Sequence, residues 1–84
     1  MEKIEAIKDF INNNLDEETG QVIKSDDYDS IYSLISYVNK KFDCNLEIQH
    51  AGGFESPGYD VDCYAWAGVI NGKLYFDTLE IKRY

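Results

Sequence analysis

The stretch YDVDCYAWAGVINGKLYFDTLEIK, residues 59–82, decides the fold. Asn71-Gly72 at its centre is the pair that a two-residue type I′ hairpin asks for, because both central positions take positive φ. On one side, residues 59–70 read as a long strand. On the other, Lys73 to Lys82 return antiparallel. A two-residue turn pairs Val69 with Leu74 and Ala67 with Phe76 on one face.

The first strand splits into two sets by alternation. Tyr59, Val61, Cys63, Ala65, Ala67 and Val69 are small or apolar and suit a position beneath helices. Asp60, Asp62, Tyr64, Trp66, Gly68 and Ile70 then face away, with Tyr75 and Asp77 beside them on the returning strand. Continued strictly, that register puts Thr78 and Glu80 inside and Leu79 and Ile81 outside. A one-residue bulge near Asp77-Thr78 is therefore predicted, to return Leu79 and Ile81 to the core side.

Upstream, Leu46, Ile48 and His50 alternate with Glu47 and Gln49, as in a strand. Residues 51–58 read as a loop holding the only proline and three of the six glycines. Ile31, Leu34, Ile35, Val38 and Phe42 form the apolar stripe of a helix over 27–42, with Ser25, Asp26, Asp27 and Asp29 as candidate N-caps. Lys40 and Lys41 suit its C-terminal dipole. Ile4, Ile7, Ile11 and Leu15 mark a first helix over 2–15, and Val22-Ile23 is a brief strand or a core contact. The chain is thus one α+β domain over 1–84, in the order α-α-β-β-β. Two helices lie on one face of a three-stranded antiparallel sheet, four-stranded if Val22-Ile23 joins it.

The 84 residues carry 16 acidic and 8 basic side chains, a formal charge of −8. Phosphate binding needs clustered Lys and Arg, so DNA and RNA are poor direct ligands. At 44% hydrophobic the chain is globular and not a disordered acidic tail. A body of about 12 Å radius of gyration leaves little room for a deep cavity and favours action through a surface. The acids are concentrated. Residues 16–30 hold six against Lys24, and 42–72 hold five with no Lys or Arg.

Catalytic and metal chemistry find little support. Two cysteines, Cys44 and Cys63, fall short of a disulfide framework and read as thiols of a reducing, cytoplasmic compartment. Cys44, His50 and Cys63 lack paired metal-ligand spacing. Cys44 follows a helix C-terminus, whose dipole raises a thiol pKa, and Cys63 is expected to face the core. Asp26-Asp27-Tyr28-Asp29 lacks the glycine and terminal Glu of a calcium loop. No cofactor, metal or enzymatic activity is expected. No apolar run reaches the ~18 residues of a membrane helix, and the N-terminus reads as a helix, not a signal peptide.

Carboxylates among large amphipathic aromatics match a basic protein surface. The residues expected to form that contact are Asp60, Asp62, Tyr64, Trp66, Tyr75, Asp77 and Glu55, with Asp26, Asp27 and Asp29 from the helix-entry segment. The function expected is a small acidic inhibitor that blocks the basic nucleic-acid-binding surface of a nuclease or related enzyme. Such a protein would be DNA-mimic-like, of the phage anti-CRISPR or anti-restriction type. In size and charge the chain is similar to uracil-DNA glycosylase inhibitors and several anti-CRISPR proteins, with no motif in common. The alternatives are an immunity protein or antitoxin against a basic toxin, and a structural or regulatory homodimer joined through the sheet face.

Overall fold

The computed structural model describes residues 2–84. Helix α1 spans Lys3–Asn13 and α2 spans Ile31–Phe42; strands β1 (Glu47–Ser56), β2 (Tyr59–Ile70) and β3 (Lys73–Arg83) follow. The sheet is antiparallel in the order β1-β2-β3, so each strand neighbours its sequence neighbour. The α-α-β-β-β architecture expected from the sequence is the observed one.

Both helices are shorter than their apolar stripes suggest. α1 ends at Asn13, and Leu15 instead forms an isolated bridge with Val22. This bridge, not a fourth strand, is the only pairing that Val22 makes. α2 begins four residues later than expected because Ser30 caps it, and none of the four earlier candidates does. Its hydroxyl accepts from the Ser33 amide while the Ser33 hydroxyl accepts from the Ser30 amide. This reciprocal box satisfies two otherwise orphan donors. Asp26 and Asp27 sit in a separate turn, where the Ser25 amide bonds the Tyr28 carbonyl.

The expected loop at 51–58 is mostly strand. β1 continues to Ser56, and only Pro57-Gly58 turn the chain. The glycines there mark a bulge: the register slips between His50 and Gly52, leaving Ala51 unpaired. Gly52 takes φ +132°, which an L side chain rarely adopts. At Gly53 a Cβ would lie 2.6 Å from the Val61 carbonyl oxygen.

The predicted bulge near Asp77-Thr78 is absent. β2 and β3 pair without interruption from Ile70↔Lys73 to Asp60↔Arg83. The reason is that the face assignment of β2 is the reverse of the expected one. Trp66 and Ile70 are buried at 2% and 4% exposure beneath the helices. In that strict register Leu79 lies opposite Tyr64 and Ile81 opposite Asp62. Both therefore pack toward the core without any bulge. This orientation gathers Trp66 and Ile70 with Ile48, Leu79 and Ile81 of the neighbouring strands against one core, and leaves Val69, Leu74 and Phe76 in water.

One core holds the molecule together: Ile4, Ile7 and Ile11 of α1, Ile31, Leu34, Ile35 and Val38 of α2, with Leu46, Trp66 and Ile70. Phe10 stacks on Tyr37 and meets Phe42 edge-on, closing the helix pair at one side. The α1–α2 connection runs back along the outer edge of β3. There the Lys82 amide donates to the Thr19 carbonyl, and the Gln21 side-chain amide donates to the Lys82 carbonyl, both at 2.8 Å. Gly20 permits this approach, since a Cβ would fall 2.1 Å from the Glu80 carbonyl oxygen. The connection thereby covers part of an edge that would otherwise invite pairing. The β1–β2 hairpin runs on past the helices, which accounts for the 42 Å long axis and a 13.1 Å radius of gyration, above the expected value.

Candidate protein interface

The ten residues expected to form one contact fall into four places. Trp66 is in the core and is no surface anchor. Tyr75 is half-buried on the same helix-facing side, with the Lys73 ammonium over its ring. Asp77 is exposed further along β3, where its carboxylate accepts from the Thr78 amide at 2.8 Å. The reversal of β2 thus removes the expected aromatic face from solvent.

A second group converges. Asp29, Asp62 and Tyr64 line one groove of about 510 Å³, between the segment leading into α2 and the far end of β2 and β3. Tyr32, Arg83 and Tyr84 also line it, as do Lys24 and the apolar Val22, Ile31 and Ile81. Asp62 is held on both oxygens, by Arg83 Nε at 2.7 Å and His50 Nε2 at 3.3 Å. Tyr64 stands edge-on to both Tyr32 and His50. Burial, with the Tyr32 and Asp62 charges adding to it, raises the Tyr64 phenol above its ordinary pKa.

Next to this groove is the hairpin tip. Glu55 and Asp60 are exposed and directly opposite each other across β1 and β2. Like charges at this spacing destabilise a sheet. Arg83 is the other cross-strand neighbour of Asp60 and lines the same hollow as Glu55 and Asp60, with its Nε bonded to Asp62. Asp26 and Asp27 are likewise exposed in the turn before α2. Asp29 accepts a 3.3 Å bond from the Ser33 hydroxyl and so shares in the helix entry.

No family model, curated protein or solved structure matches this chain.

The opposite side of the sheet carries what sequence reasoning placed in the core. Val69, Leu74 and Phe76 are 59%, 64% and 75% exposed, and Phe54 is half exposed at the other end. The pairs Val69–Leu74 and Ala67–Phe76 were legible from the turn. Only the side on which the helices lie was not. Cys63 is also on this face, half-buried, and not in the core as expected. Both cysteines are free thiols. Burial pushes the Cys44 thiol above its usual pKa, and its sulfur approaches the Asn39 side-chain oxygen at 3.4 Å. A raised pKa is the opposite of what a nucleophile needs.

The charge is divided between the two sides. The uncovered face bears Glu47 and Glu80 against Lys82, a net −1 of the total −8. The helices carry Lys3, Lys8, Lys40 and Lys41 against Glu5 and Asp9, a net +2, so the remaining negative charge lies in the loops, at the hairpin tip and at Asp62 and Asp77 on the helix-facing side of the sheet. Among the described residues, no group of three or more His, Cys, Asp or Glu is placed to hold a metal ion, and no helix is long and apolar enough to cross a membrane.

Proposed function

We propose that this protein is a small acidic inhibitor that docks its hairpin tip and helix-entry segment on a basic surface of another protein. The single observation that carries this reading is the Glu55–Asp60 pair. Two carboxylates placed opposite each other at an exposed tip cost the sheet stability, and among the described residues neither makes an ion pair, the nearby Arg83 being bonded to Asp62 through Nε. A partner's Arg or Lys removes that repulsion on binding and gains a charge-assisted contact. Asp26, Asp27 and Asp29 extend the negative surface, and the adjoining groove brings Tyr32, Tyr64 and Tyr84 within reach of an inserted side chain.

The partner that fits is a nucleic-acid-binding enzyme, because its channel must be basic to attract phosphates. An acidic body seated there excludes the nucleic acid by competition. Capture from a bacterial lysate at low and high salt, followed by a displacement assay, tests the reading. A basic protein should be captured at low salt, and the chain should release nucleic acid from it. Capture of a protein whose nucleic-acid binding is untouched by saturating chain contradicts it.

A further inference from the structure

All six outward positions of β2 carry Tyr59, Val61, Cys63, Ala65, Ala67 and Val69. A strand with one face in water ordinarily alternates apolar with polar residues. A strand apolar on both faces belongs between two layers. Residues 65–70 of β2 fit that description: Trp66 and Ile70 lie under the helices, while Val69 on the other side is 59% exposed. Toward the tip Asp60 and Asp62 make the helix side polar, and outward Val61 is already buried at 3% exposure. Val69, Leu74 and Phe76 stand up as an exposed ridge beside a trough of about 190 Å³ floored by Ala65 and Ala67.

We propose that a second copy of this chain covers this face, giving a two-fold dimer with the two sheets packed against each other. Three properties select a copy over another partner. Ridge and hollow lie on the same face, which is the self-complementarity that a two-fold interface requires. The face carries only −1 of the −8, so two copies meet with almost all their like charge turned away, whereas a basic partner finds its complement on the other side.

Area is the third. Three strands ~4.8 Å apart and ~11 residues long at ~3.4 Å each give a footprint of about 500 Å². Two fully overlapping copies then bury at most about 1,000–1,100 Å² in total, the size of a weak interface, which sets the concentration range of the test. The inference is independent of the acidic docking surface, which the dimer would present twice.

Light scattering and sedimentation of the full chain over about 1 to 500 µM test it, since oligomer population follows concentration. The mass should rise from 9.7 kDa toward twice that value. Phe76→Lys and Val69→Lys, both at exposed positions, should weaken the dimer more than a hundredfold while leaving the far-UV circular dichroism unchanged. On the unaltered chain, the methyl resonances of Ala65 and Ala67 should shift with concentration while that of Ala6 stays fixed. A wild-type chain monomeric across the range overturns the proposal. So does a dimer that both folded variants retain, or one whose formation leaves the Ala65 and Ala67 methyls unmoved. A monomer that seats a different protein on Phe76 overturns it as well.

Discussion

Replacing Trp66 with Ala separates the observed sheet orientation from its reverse. Trp66 is the only tryptophan and is 2% exposed. It belongs to the core shared with Ile4, Ile7 and Ile11 of α1, and with Lys8, Ile11, Asn12, Asp77 and Leu79 it lines a small hollow at that side. Burying 150–250 Å² of aromatic surface at about 25 cal/mol per Å² contributes ~4–6 kcal/mol, and core Trp→Ala changes typically cost about 3–5 kcal/mol. An 84-residue domain has only ~4–13 kcal/mol of total stability. Trp66→Ala should therefore leave the chain marginally folded or unfolded at 25 °C, whereas Trp66→Phe keeps much of the apolar volume and should fold. Urea unfolding followed by far-UV circular dichroism reads the difference. The wild-type indole should emit as a buried group and shift to the red only through the unfolding transition. A loss below about 1 kcal/mol, the range of an exposed substitution, would refute the orientation and return Trp66 to the surface.

Other consequences are local. Asn39 bonds both the amide and the carbonyl of Leu46, at 2.7 and 2.9 Å, and so fixes the entry into β1. Asn39→Ala should cost about 2–3 kcal/mol in urea melts, because it strands two partly buried backbone groups. Gly68 faces Leu46 at 2.5 Å and the Asn45 carbonyl at 3.1 Å from where a Cβ would stand. Gly68→Ala should destabilise by about 1–3 kcal/mol, and a neutral result would mean that β2 has room there. Cys44, with its raised pKa, should alkylate with iodoacetamide more slowly at pH 8 than an unstructured cysteine peptide. Equal rates would show that its burial does not persist in solution.

Most of the fold is legible in the sequence, because its strongest signals are local. Asn71-Gly72 sets the β2–β3 turn and register, and the stripe from Ile31 to Phe42 marks α2. What is not legible is which face of β2 the helices choose, since both faces of that strand hold apolar residues. A compositional argument about small side chains favoured the wrong side. The register held the corrective signal: only with Trp66 inward do Leu79 and Ile81 reach the core without a bulge. Gly52-Gly53 misled for a related reason, as glycine marks a bulged strand as readily as a loop. Glu55, Asp60, Asp26 and Asp27 lie at the tip and turn, where position alone keeps them exposed whichever face the helices choose. Trp66, Tyr64 and Tyr75 depended on the face assignment and moved with it.

The claim that the acidic tip and turn do the docking is tested most directly by calorimetry against the captured partner, using two variants in parallel. Glu55→Gln with Asp60→Asn should leave the chain as stable as before or slightly more so, because a like-charge pair is lost. The same change should weaken partner binding by about 1–4 kcal/mol. Phe76→Lys, on the opposite face, should leave the intrinsic affinity per chain unchanged. Unaltered binding by the tip variant, together with loss of binding by Phe76→Lys, would contradict the account.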